Sequence, residues 1–152
     1  MRIAENYRVP GFLANSLHTG IKTDGGKDLS LIFSTRPATA AGVFTTNCFK
    51  AAPVLLDQQR IRSGAAQAVI ANSGVANAAT GAEGLSDALA VSRFASAALG
   101  IADDLVLVAS TGVIGHRLPV HKIETGIKGL VAGLNKDGIP DAEAGIMTTD
   151  RF

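Results

Sequence analysis

The sequence predicts an α/β domain, a mixed α+β layering of one sheet with helices. Three observations predict it. Short apolar runs rich in Val and Ile alternate with longer segments of helical spacing. The order is several strands first, then strand, helix, strand, helix. The chain has 152 residues, with 47% hydrophobic and 18% charged, which suits one ordinary packed core rather than a disordered chain.

Taken in order, "DLSLIFS", Asp28 to Ser34, alternates in part and reads as a strand. "AGVFTTN", Ala41 to Asn47, reads as a second, with Pro37 marking the break between them. "APVLLD", Ala52 to Asp57, is taken as a third. "QAVIAN", Gln67 to Asn72, is a strand that runs into a Gly turn. In the next segment Leu85, Ala88, Leu89, Val91, Phe94, Ala95, Ala98 and Leu99 keep helical spacing, and Gly100 ends it. Leu105 to Ala109 is a buried strand that stops at Ser110-Thr111-Gly112. Pro119 opens a second helix, where its missing N–H costs nothing. The stripe of that helix is Ile123, Ile127, Leu130, Val131 and Leu134. Pro140 starts a third, shorter helix that runs through Met147. The two strands flanking the long helix are expected to be parallel neighbours joined by a right-handed crossover.

Composition excludes several classes of partner. Fourteen basic against 13 acidic residues leave a formal charge of +1, so nothing calls for nucleic acid or an anionic membrane. No apolar run approaches the length of a membrane span. "MRIAENYRVPGFLANS" has no signal-peptide core. One cysteine, Cys48, allows no internal disulfide, and a reducing cytoplasm is the simplest setting. Cys48 has no visible base partner and is expected to be a buried, inert thiol. His18, His116 and His121 show no metal spacing, and the last two are expected to be solvated. Gly and Ala are abundant while aromatics make up 5%, so close backbone packing is expected to matter more than large side chains.

Two small-residue segments follow strands. "ANSGVANAATG", Ala71 to Gly81, is either a ligand loop or a tight loop with unusual backbone angles. It is not a dinucleotide fingerprint or a P-loop. "STGVIG" is either a strand-end corner or a place where N–H groups near Thr111 and Gly112 meet a developing oxyanion. "TTN", Thr45 to Asn47, decorates a strand end. No complete nucleophile–base pair is present.

Taken together, "GIKTDGGKDLSLIFSTRPATAAGVFTTN" with the following "AAPV", "NSGVANAATG", "STGVIGHRLP" and "GIMTTD" resemble the N-terminal part of the ornithine acetyltransferase family, the glutamate N-acetyltransferases of the cyclic arginine pathway. The pieces stand in the family's order from about Gly11 to Asp150. The segment around "NSGVANAATG" departs at Val75, where the family more often has Asn, and at Ala79, where it more often has Cys.

The resemblance implies an enzyme whose precursor cuts itself into α and β chains. The new N-terminal Thr of the β chain takes an acetyl group from N-acetylornithine and passes it to glutamate. It implies an oxyanion hole at Thr111 and Gly112 and a substrate-contacting Thr148, with Thr149 the close alternative. It implies no bound cofactor and no metal, with acetyl-CoA as a further acetyl donor in bifunctional members. Residues 1–152 then form a single domain, most of an α chain that ends before the cleavage site and is inactive without its β partner. The αβ pairs are expected to assemble further. Two other readings stand beside it: a non-catalytic binding or assembly domain of the same fold, and a related N-terminal-nucleophile amidohydrolase.

Overall fold

The computed structural model describes residues 8–148. It is a four-stranded sheet with four helices. The strands are β1 Phe12–Leu17, β2 Leu29–Thr39, β3 Ala65–Val75 and β4 Val106–Val113, in the order β1-β2-β3-β4. The helices are α1 Ala52–Arg60, α2 Gly81–Leu99, α3 Val120–Ala132 and α4 Ile139–Ile146. The first three strands pair antiparallel. β3 and β4, which flank the long helix α2, pair in parallel, as the sequence predicts.

Strand alternation sorts side chains onto two faces. Leu29, Leu31, Ala68, Ile70, Val106 and Val108 form the core with α1, α2 and α3. The helical stripes read from sequence supply the other half: Ala88, Val91 and Ala95 from α2, and Ile123, Ile127 and Leu130 from α3. Gly100 caps α2 in the left-handed region at φ 68°. On the opposite face, α4 packs across β1 and β2. Ser30 Oγ donates to the Ala142 carbonyl at 2.9 Å and Ser73 Oγ to the Gly145 carbonyl at 2.5 Å. A Cβ on Gly145 would stand 2.0 Å from Ser16 Oγ and 2.2 Å from Ser30 Oγ. Here close backbone approach replaces large side chains, as the composition implies.

Several readings change. β2 continues through Pro37, with a register shift between Phe33 and Ala38; proline is tolerated at such an irregularity. Ala41 to Asn47 is not a strand but an irregular surface segment. There the Asn47 N–H donates to Thr45 Oγ1 and the Phe49 N–H to Asn47 Oδ1, so "TTN" builds successive side-chain turns. Ala52 to Asp57 is helical, because Pro53 sits in the first turn of α1, where no N–H is needed. Cys48 is exposed, since its segment lies outside the sheet. β1, absent from the sequence reading, pairs along its length with β2. Asp28 closes the connection between them. It is fully buried and accepts from the Thr19 N–H and hydroxyl, both at 2.7 Å, the Ile21 N–H at 2.8 Å and the Lys22 N–H at 3.1 Å. Burial alone would push its carboxyl up, but these four donors outweigh it and hold the pKa below the ordinary value.

Asp57 behaves in the opposite way. Burial pushes its carboxyl up to about 6, against the Val108 N–H and the Arg60 charge, which hold it down. Its folded pKa therefore lies above the ordinary 3.8. The stability it contributes is full below about pH 3.8 and is lost as pH rises through about 6. Asp57→Asn carries no charge at either pH. It is expected to flatten that part of the fall in Tm between about pH 4 and pH 6, measured by thermal unfolding against the wild-type chain.

Among the described residues, no helix is long and apolar enough to cross a membrane. His116 and His121 are exposed.

Candidate active site

The apolar run that opens β4 does not stop at Ser110. After a 3-10 turn at Asp103–Leu105, the strand runs through Thr111 and Gly112 to Val113. Its parallel partner is the other small-residue segment: Asn72 faces Ser110, Ser73 faces Thr111, Gly74 faces Gly112 and Val75 faces Val113. The two motifs that looked like separate loops are thus one paired structure. Past it, the Ala76 N–H donates to the Val113 carbonyl and the Gly115 N–H to the Ala78 carbonyl, both at 2.9 Å. Strand pairing, rather than a corner, presents Thr111.

The glycines make this possible. Gly112 has φ 128° and Gly74 φ 104°. A Cβ on Gly112 would stand 2.3 Å from the Gly74 carbonyl carbon and 2.7 Å from the Val75 nitrogen. No other residue fits at Gly112 without moving backbone. Behind the pair, on the helical side, Ser110 Oγ bonds Asn72 Oδ1 at 2.6 Å and Asn72 Nδ2 donates to the Val75 carbonyl at 2.8 Å.

Alternation also separates the donors. The Val108 N–H points away from β3, because it donates to Asp57 on α1. By the same phase, Ser110 and Gly112 direct their backbone N–H groups to the free edge of β4, and Thr111 directs its own toward β3. The Thr111 side chain lies on the face opposite the core, where it lines a groove of about 530 Å³ between the sheet and α4. Two different groups therefore face outward at this point: the Thr111 hydroxyl and the Gly112 N–H.

The far wall of the groove is α4, through Ala142, Glu143 and Ile146. Nothing in the sequence singles out Glu143, since an acidic residue in a short helix reads as a solvated face. Thr148 follows two residues after Ile146, in a bend, half-buried. The preceding carbonyl, of Met147, accepts from Lys22 Nζ at 2.5 Å, which ties the end of α4 to the β1–β2 connection. The structure thus places Thr111 and Gly112 at one end of β4 and Thr148 just past the wall of the same groove. Thr149 lies outside the described residues. Among those residues, no group of His, Cys, Asp and Glu is arranged to hold a metal ion.

With this geometry in hand, the relatives are informative. The sequence profile of the ArgJ family matches residues 13–152. The chain belongs to the ArgJ family. The arginine biosynthesis bifunctional protein ArgJ of Syntrophotalea carbinolica is 50% identical over 145 residues, covering 95% of this chain and 37% of that protein. Its counterpart in Symbiobacterium thermophilum is 49% identical over 144 residues, covering 93% of this chain and 36% of that protein. The chain thus spans about a third of the length of the curated ArgJ relatives it matches. Among solved structures, ornithine acetyltransferase from Mycobacterium tuberculosis, complexed with ornithine, superposes with a TM-score of 0.90 at 43% identity. That match covers 94% of this chain and 78% of the other. An ArgJ structure from Bacillus halodurans gives 0.86 at 39% identity, covering 94% and 75%. The mixed α/β class read from the sequence is that of these ArgJ structures.

Proposed function

We propose that this chain is the oxyanion-stabilising part of an ornithine acetyltransferase, acting in arginine biosynthesis. The observation that carries the reading is the β3–β4 pairing, which holds the Thr111 hydroxyl and the Gly112 N–H outward on a rigid strand beside a groove. Preorganised donors of this kind are what acyl transfer needs, because negative charge gathers on the acyl oxygen only in the transition state.

The reaction then runs in two halves. The hydroxyl of a threonine at the start of the β chain attacks the acetyl carbonyl of N-acetylornithine and gives up its proton to a base, for which the threonine's own amine is suited. Thr111 and Gly112 hydrogen-bond the tetrahedral oxyanion. Collapse breaks the C–N bond, ornithine leaves with its nitrogen protonated, and an acetyl-threonine ester remains. The amine of glutamate attacks that ester through a second oxyanion at the same donors, which regenerates the threonine and yields N-acetylglutamate. Thr148 contacts substrate from the α4 side. In the bifunctional reading, acetyl-CoA supplies the acetyl group in place of N-acetylornithine.

The β chain is the expected occupant of the open sheet face. Val69, Val113, Ile114, Ile146 and Met147 are large apolar side chains left exposed at or near the groove, and apolar surface gathered in this way marks an interface. The relatives carry roughly two thirds more of their length beyond what this chain matches, enough to cover it. We place the assembled αβ enzyme, and the larger oligomer built from it, in the cytoplasm.

The test is an initial-rate study of the full-length protein, with N-acetylornithine varied at several fixed glutamate concentrations. Parallel double-reciprocal lines are expected. Intersecting lines would point to direct transfer without an acetyl-enzyme, and acetate release without glutamate would point to the amidohydrolase.

A further inference from the structure

Among the described residues β4 is the last strand of the sheet, and no strand of theirs pairs with the outer edge of its backbone. Exposed edges are normally solvated or blocked. This one is met by two side chains from α1, one helical turn apart. Asp57 Oδ1 accepts from the Val108 N–H at 3.0 Å. Arg60 Nη1 donates to the Val106 carbonyl. Arg60 is itself buried and fixed, with Nη2 donating to Ser92 Oγ and to Asp103 Oδ2, each at 2.8 Å. Ser92 Oγ in turn donates to Asp103 Oδ1 at 2.5 Å. The guanidinium is thus locked to α2 and to the 3-10 turn that starts β4. Hydrogen bonds between charged side chains and backbone are among the stronger and more directional ones. They act here on alternate residues of the edge to which the Gly112 N–H also belongs.

We infer that Asp57 and Arg60 are positioning residues of the acetyl-transfer site: from α1 they clamp the free edge of β4 and so fix where Gly112 presents its N–H. The inference rests on the oxyanion reading of Gly112. The clamp touches neither the groove nor the reacting atoms, so its loss acts on the transition state rather than on substrate binding. An oxyanion donor displaced by a fraction of an ångström loses most of its effect there.

The test compares Asp57→Ala and Asp57→Asn in the full-length protein. Asn keeps a carbonyl oxygen for the Val108 N–H, and Ala does not. Asp57→Ala is expected to lower kcat about tenfold while KM for N-acetylornithine stays within about twofold. Amide exchange across Val106–Val113, read peptide by peptide, is expected to speed up at least about tenfold. Asp57→Asn is expected to restore both. Should the alanine variant fail to fold, Asp57→Leu fills the space without an acceptor and carries the same expectation. Faster exchange with kcat unchanged overturns the positioning role, and unchanged exchange overturns the clamp. If the wild-type protein transfers no acetyl group, the proposed function falls by itself. Exchange at Thr111–Val113 then decides the clamp alone: faster in Asp57→Ala upholds it, unchanged overturns it.

Discussion

Gly112→Ala is expected to damage both fold and activity severely. The new Cβ would meet the Gly74 carbonyl carbon at 2.3 Å and its oxygen at 2.5 Å, both backbone atoms with nowhere to turn. The φ of 128° is also one that L side chains rarely adopt. Backbone strain costs about 1–3 kcal/mol and overpacking adds about 1–3 kcal/mol. A loss of about 2–6 kcal/mol is therefore expected in denaturant unfolding, a large share of what holds an ordinary domain together. Acetyl transfer is expected to vanish, because β3 and β4 must separate where Thr111 is held. Gly115→Ala is the control. Gly115 has a positive φ of 80°, but a Cβ there meets nothing within 4 Å. It is expected to cost about 1 kcal/mol of strain and to leave transfer largely intact. Equal losses at the two positions would mean that the close approach to Gly74 does not matter.

Thr111→Ala is expected to leave the fold alone and to cripple catalysis. The side chain is half-buried on the open face, outside the helical core. The Thr111 backbone N–H points toward β3 and is committed to the sheet, so the hydroxyl is the group this residue offers the oxyanion. Removing one such donor typically lowers kcat by about 10²–10³, or about 3–4 kcal/mol. KM is expected to change little, since the ground-state carbonyl gains less from the donor than the oxyanion does. Thr111→Ser keeps the hydroxyl and is expected to retain most of the rate. The readout is steady-state transfer from N-acetylornithine to glutamate, with unfolding curves to confirm equal stability.

Much of the fold was legible because it rests on local signals. The stripes of α2 and α3, the Gly100 cap, and the prolines at the starts of α3 and α4 all lie within one helical span of the residues they govern. Gln67 to Asn72 and the first half of β4 were legible as apolar runs bounded by polar residues. What failed was ambiguous locally. "APVLLD" is short and apolar, and only Pro53 in its first turn marked it as helix rather than strand. Pro37 reads as a break unless the register shift that accommodates it is known, and that shift belongs to β3 as much as to β2. Cys48 has no visible base partner in the sequence, which suits a buried, inert thiol, yet its segment lies at the surface, where Val43 is fully exposed.

The candidate site was legible only as two similar fragments. Gly74 and Gly112 each fit a turn equally well when seen alone. Their contact is between residues 38 positions apart (112 less 74), and no local pattern carries it. The same holds for Asp57 and Arg60. With Ala52 to Asp57 read as a strand, nothing in the sequence pairs these two charges, and only α1 and the position of β4 bring them to one edge. The resemblance supplied the roles of Thr111, Gly112 and Thr148. The structure adds the β3–β4 pairing that holds the first two in place.

In the proposed reaction this chain lends its donors to an acyl transfer whose nucleophile lies elsewhere. The most direct measurement is rapid-quench intact mass with peptide mapping, on full-length wild-type and Thr111→Ala protein given N-acetylornithine and no glutamate. One acetyl group is expected on a threonine outside residues 1–152, formed about 100-fold more slowly in Thr111→Ala. Acetylation of Thr111 itself would move the nucleophile into this chain, and equal rates in the two proteins would remove Thr111 from oxyanion stabilisation.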